Sequence, residues 1–248
     1  MRKAVFINTT AIIIINTLAV VCTWKKDIVF DLDMAPKSVD DQYMGCGNKM
    51  YNEVKSKILQ EEFKKNELFE KIWNKHNVTD DFTRIIKVYT DHTPLYSQLN
   101  DAVGSGRKKY LTQFNYKAFH FLLTYAIQTY KVQTCVNVFR RTKASFKRSF
   151  FSSVMRFGRF TSTSLRNNMT DFGNITCFKI GTCYGANISA ISVYPNEEEV
   201  LIPPFEKFKI TNTENNKMNC GVLYTLQSAG TCSNMNCELF KMKSTVKC

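Results

Sequence analysis

The sequence predicts an α+β protein with a mainly helical part over residues 25–133 and a mainly β part over residues 134–248, stapled by disulfides into one domain. Three features support this. Apolar residues recur at helical spacing through the first half. After Gln133 come short runs of Val, Ile, Phe and Thr, about ten residues apart and separated by turn signals. Helices first and strands second is the order of the α+β class. The cysteine count, finally, becomes even once an export signal is removed.

That signal opens the chain. Arg2 and Lys3 form a basic end, and an apolar run from Ala11 to Val21 follows. A membrane span needs about 20 apolar residues, and Asn16 and Thr17 interrupt this run. Residues 1–24 are therefore read as a signal peptide, with an uncleaved anchor as the alternative. The segment up to Gly45 reads as loop. From Asn48 to Asn77, Val54, Ile58, Leu59, Phe63, Leu68, Phe69 and Ile72 fall on one helical stripe. A strand is expected over 84–90, a short helix over 94–103, a turn at Gly104, Ser105 and Gly106, and a long buried helix over 110–130. Strands are expected over 136–140, 159–164, 176–183, 188–194, 199–202, 207–211 and 221–226.

Cleavage removes Cys22 and leaves eight cysteines: Cys46, Cys135, Cys177, Cys183, Cys220, Cys232, Cys237 and Cys248. In an exported chain these read as disulfides, with about 105 complete pairings open to them. A zinc site is a poor alternative: no CxxC pair exists, and His76, His92 and His120 lie far from the cysteines in sequence. No metal is expected. Asn77, Asn168 and Asn174 are candidate glycosylation sites. Asn187 also heads a sequon, but beside an expected core strand. The chain ends on Val246, Lys247 and Cys248 without an apolar tail, so a secreted protein without a membrane anchor is expected.

The formal net charge is +13, falling to about +11 without Arg2 and Lys3. That favours acidic partners, among them anionic glycans and surfaces. No nucleic-acid-binding motif accompanies the charge.

Three motifs could carry chemistry. In an extended backbone Glu197 and Glu199 would share a face, roughly 6.5–7 Å apart. Two such carboxylates can divide labour, one steadying a cation and one handling a proton; a solvated acidic turn is the plainer reading. Arg140 shares a strand face with Val136 and Val138. It is either a strand end reaching water or an anion binder whose planar fork suits phosphate. Ser162 and Ser164 alternate on a third segment, as a nucleophile, a donor that orients a carboxylate, or an ordinary edge strand. Gly104 to Gly106 lacks the rest of a dinucleotide fingerprint, and no GxSxG elbow exists.

In order, these motifs are Arg, then Ser-x-Ser, then Glu-x-Glu. That order resembles the vertebrate arginine-specific ecto-mono-ADP-ribosyltransferases, the "R-S-E" group of cholera-toxin-like ADP-ribosyltransferases. The resemblance runs from about Asp31 to Cys248. It is carried by Asp33-Met34-Ala35-Pro36, Asp40-Asp41-Gln42-Tyr43-Met44-Gly45-Cys46, Val88-Tyr89-Thr90 and the stretch Phe114 to Phe121. Arg159-Phe160-Thr161-Ser162-Thr163-Ser164, the run Glu197 to Glu206 and Asn236-Cys237-Glu238 complete it.

The resemblance implies a helical part packed on a split antiparallel β-sandwich core, with NAD as co-substrate in the cleft. It implies that Arg140 holds the NAD phosphate and ribose region and that Ser162 orients the catalytic acid. Glu199 would bind the nicotinamide-ribose hydroxyl and stabilise the oxocarbenium-like transition state. Glu197 and Tyr194 would recognise the arginine of the target protein. It further implies the pairings Cys46–Cys237 and Cys135–Cys183. The activity it implies is transfer of ADP-ribose from NAD to protein arginine, with release of nicotinamide. An NAD glycohydrolase and a catalytically weak cationic binding protein are the alternatives. One departure stands out: many relatives have Gly after the motif Arg, and here Arg141 follows.

Overall fold

The computed structural model describes residues 29–149, 153–242 and 247–248. The expected signal peptide and Cys22 lie outside the described residues.

The first half is helical, as its periodicity requires, but the stripe from 48 to 77 is not one helix. It divides into α1 (Gly47–Glu53), a π turn (Val54–Ile58), α2 (Leu59–Lys65) and α3 (Glu67–Lys75). The break falls at Asn66, whose side chain accepts a hydrogen bond from the Phe69 N–H at 3.0 Å and so caps α3. The segment expected as a strand over 84–90 belongs to α4 (Asp81–Thr90). Its β-branched residues suggested a strand, but Asp80 caps the helix through Thr83 N at 2.7 Å. Ile85, Ile86, Val88 and Tyr89 are buried from it, so packing overrides propensity. Next come α5 (Leu95–Ser105) and α6 (Lys117–Thr129). Residues 110–116 are not part of α6. Its first turn is capped from a distance: buried Glu62 accepts from the N–H groups of Ala118 and Phe119 at 2.7 and 3.3 Å.

The strands are β1 (Val29–Leu32), β2 (Val136–Thr142), β3 (Ser145–Arg148), β4 (Val154–Met155), β5 (Thr161–Ser164), β6 (Thr176–Thr182), β7 (Ala186–Asn187), β8 (Glu199–Ile202), β9 (Glu206–Lys217) and β10 (Cys220–Thr231). Eight form one sheet in the order β4-β9-β10-β6-β2-β5-β8-β7, and β1 pairs with β3 in a second. Neither sheet is purely antiparallel, because β6–β10 and β1–β3 run parallel. The split lies between β2 and β5, which pair at one position only, Phe139 with Ser164.

Each half of the sheet has its own apolar partner. Phe160, Ala186, Ile188 and Leu201 join the core of the helices. Leu32, with Phe146 packed beside it, covers Phe178, Phe208 and Leu226 on the other half. The loop-like N-terminal segment is thus partly strand. It is locked down by Arg156, whose buried guanidinium donates to Asp40 at 2.7 Å and to the carbonyls of Met34 and Cys232.

The segment 188–194 is not a strand. The Ile188 carbonyl accepts from the N–H groups of both Ile191 and Ser192, which closes turns instead of extending a ladder. Asn187 therefore sits exposed at the sheet edge rather than in a core strand, with Asn77, Asn168 and Asn174 also exposed. Four disulfides join Cys46 to Cys237, Cys135 to Cys183, Cys177 to Cys220 and Cys232 to Cys248. The first two are the pairings the resemblance implies. No group of His, Cys, Asp and Glu among the described residues has the arrangement of a metal site. No described helix is long and apolar enough to cross a membrane.

Candidate active site

A cavity of about 310 Å³ opens at the split between β2 and β5. Arg140, Ser162, Glu197 and Glu199, from three separate stretches of sequence, all line it. The strand pairing explains how they meet. β8 runs antiparallel to β5 and sets Glu199 opposite Ser164, while Arg140 follows Phe139, the one residue of β2 that pairs with β5. The Arg140 guanidinium donates to the Ser162 carbonyl at 2.7 Å, bridging the split where the ladder lapses.

Glu199 is 5% exposed at the start of β8. Burial pushes its carboxyl up to about 7. A hydrogen bond from the Ser162 side chain and the Arg140 charge pull it down, and the Glu197 charge adds to the rise. Desolvation also lowers the pKa of Arg140, while nearby Tyr89, Tyr96 and Glu199 raise it; a guanidinium nonetheless keeps its charge in a protein. The cavity therefore holds a fixed cation beside a carboxylate that ionises near neutrality.

Glu197 reaches the cavity by a route the sequence did not show. The two acids do not share an extended strand. Residues Pro195–Glu197 form a 3₁₀ turn, and Glu198 adopts a left-handed backbone, φ 48°, before β8 begins. Ser164 holds this turn by donating to the Glu197 carbonyl at 2.6 Å. Burial raises the pKa of Glu197, and His92 lowers it. Tyr194 starts the turn and does not line the cavity; its ring stacks on His92, which does.

Arg141 turns away from this arrangement. Its guanidinium donates to the carbonyls of Asn167 and Met218 at 3.1 and 3.0 Å and lies against the Cys177–Cys220 disulfide. It still borders the cavity.

Sequence reasoning missed the wall supplied by α4 and α5. Tyr89, His92, Tyr96 and Asn100 all line the cavity. The Tyr89 hydroxyl donates to the Phe160 carbonyl at 3.2 Å and accepts from Asn100 at 3.0 Å. The Oδ1 of Asn100 is buried without a protein partner. The tyrosines would have been found had 84–90 been read as a helix, because Tyr89 then lies one turn from Ile85 and Ile86.

The family model for NAD:arginine ADP-ribosyltransferase matches residues 32–80 and 76–234. The chain belongs to this family. It is 36% identical over 242 residues to the erythroblast NAD(P)(+)–arginine ADP-ribosyltransferase of Gallus gallus, covering 88% of this chain and 78% of the relative. It is 35% identical to the GPI-linked NAD(P)(+)–arginine ADP-ribosyltransferase 1 of Mus musculus, covering 86% and 74%. The fold matches the crystal structure of the eukaryotic mono-ADP-ribosyltransferase ART2.2 with a TM-score of 0.72 at 32% identity, over 84% of this chain and 98% of that one. An ART2.2 mutant has been solved in complex with NAD; it matches with a TM-score of 0.71.

Proposed function

We propose that this protein is an exported mono-ADP-ribosyltransferase that takes NAD as co-substrate and modifies arginine side chains of other proteins. The observation that carries the reading is the convergence of Arg140, Ser162, Glu197 and Glu199 on one cavity, in a chain of this family.

Each side chain has a physical task. The C1′–N bond of NAD breaks with its electron pair going to nicotinamide, and the ribose becomes an oxocarbenium-like cation. A carboxylate already in place stabilises that cation more than it stabilises the ground state, and only this difference accelerates the step. Glu199 is that carboxylate. Ser162 favours its charged form by hydrogen bonding. Arg140 offers its remaining donors to the phosphate and ribose region, where a planar fork binds in two places. The unpartnered Oδ1 of Asn100 is an acceptor left for a substrate N–H or O–H.

Glu197 stands more exposed and faces the acceptor. It orients the guanidinium of the target arginine; a guanidinium nitrogen forms the new bond to C1′ and its proton leaves to Glu197 or solvent. Where water attacks instead, the products are ADP-ribose, nicotinamide and a proton. Four disulfides fit the oxidising conditions outside the cytosol. Removal of residues 1–24, glycosylation at Asn77, Asn168 or Asn174, and contact with anionic glycans through net positive charge complete the proposal.

The direct test uses labelled NAD and agmatine, with Glu199→Gln as control. ADP-ribosyl-agmatine from the wild type and none from the variant is the expected result. Free ADP-ribose alone would make the protein a hydrolase, and no product would leave a binding protein.

A further inference from the structure

His92 lies in the turn between α4 and α5, at the cavity. Its ring stacks on Tyr194, with centroids 3.9 Å apart and planes 20° from parallel. Its Nε2 is 3.8 Å from Oε1 of Glu197. The imidazole is thus both a support for Tyr194 and the nearest cation-forming group to the acid proposed to receive the acceptor.

We infer that His92 sets the partition between arginine transfer and hydrolysis. Neutral, it holds Tyr194 and leaves Glu197 to the incoming guanidinium. Protonated, it is a second cation on the same carboxylate and competes with the acceptor, so water takes a larger share of the ribosyl cation. The bond broken is the same in both cases; only the nucleophile that closes on C1′ differs. This inference rests on the reading of Glu197 as the acceptor-binding acid.

The surrounding charges single out this pair. Asp91, next in the chain, is held by Lys75 at 2.7 Å and His76 at 2.9 Å. Arg166 is committed to the Asn196 carbonyl at 2.9 Å and Asn168 Oδ1 at 3.3 Å. Glu199 is buried and bonded to Ser162, and Arg140 is bonded to the Ser162 carbonyl. Arg141 is committed to Asn167 and Met218. Burial raises the pKa of Tyr89 well above the ordinary tyrosine value, and no lysine among the described residues lines the cavity. Histidine is the side chain whose ordinary charge change falls between pH 5 and 8. The His92 side chain is 60% exposed and that of Glu197 25%, so water screens the pair and the competition is worth a factor of about two to five.

The test measures ADP-ribosyl-agmatine and free ADP-ribose from labelled NAD at pH 8 and pH 6, at several agmatine concentrations. In the wild type the product ratio falls about two- to fivefold at pH 6, as a rise in the KM for agmatine. In His92→Phe, which keeps an aromatic ring against Tyr194 without a titrating group, and in His92→Gln, the ratio stays level. A fall that persists in both variants overturns the inference and assigns the titration to Glu197 itself. A level wild-type ratio overturns it too. Wild type that yields ADP-ribose but no agmatine adduct at pH 8 fails differently: it removes the acceptor reading of Glu197, and the inference with it.

Discussion

Lowering the pH should slow NAD cleavage over a range where an ordinary glutamate would leave it unchanged. The carboxyl of Glu199 ionises at about 7 rather than at the usual 4.5, because burial penalises its charge. In the role proposed for Glu199, cleavage needs the ionised form. With a pKa of about 7, roughly nine-tenths of the sites are ionised at pH 8 and roughly one-tenth at pH 6, so the rate falls about tenfold. With a pKa of 4.5 it would fall by only a few per cent.

The assay is nicotinamide release without acceptor, read as kcat/KM from pH 5 to 9. Ser162→Ala should shift the midpoint upward, since it removes a hydrogen bond that favours the charged form. Stability supplies a second readout. The folded-state pKa lies above the unfolded value, so ionising Glu199 costs stability above pH 7. That cost fades as pH falls through 7 and is gone below about 4.5. Glu199→Gln should therefore be more stable than wild type at pH 8, by up to about 3 kcal/mol. A rate that stays flat down to pH 5.5, with Ser162→Ala unchanged in midpoint, would refute the account of Glu199.

Other outcomes follow from the same geometry. Arg140→Lys replaces a fork by a point charge and should raise the KM for NAD about tenfold or more, measured by steady-state kinetics. Glu197→Gln should keep NAD hydrolysis while losing most transfer to agmatine, read from the two products. Arg156→Met should destabilise the protein by about 3–5 kcal/mol in urea denaturation, because Asp40 is left buried without its cation.

The convergence of Arg140, Ser162, Glu197 and Glu199 on one cavity follows from short motifs and strand order that are legible in the sequence. Arg140 and Ser162 sit on β2 and β5, where the alternation shows locally, and Glu199 opens β8, a short apolar run buried throughout. The helical wall was less legible. The stretch 84–90 carries β-branched residues whose local preference opposes α4, and the Asp80 cap with burial against the neighbouring helices, chiefly α6, decides it. The break at Asn66 and the left-handed Glu198 depend on single side-chain and backbone contacts that periodicity does not register. His92 was invisible for another reason: its partners, Tyr194 and Glu197, are about a hundred residues away, and only the turn after 188 brings them to it.

The central claim is that Glu199, fixed beside Arg140 and Ser162, drives ADP-ribose transfer to a guanidine. Incubating the protein with labelled NAD and agmatine, alongside Glu199→Gln, tests it most directly. The account predicts ADP-ribosyl-agmatine from the wild type and none from a variant that folds at least as stably. Equal adduct from both proteins would contradict it.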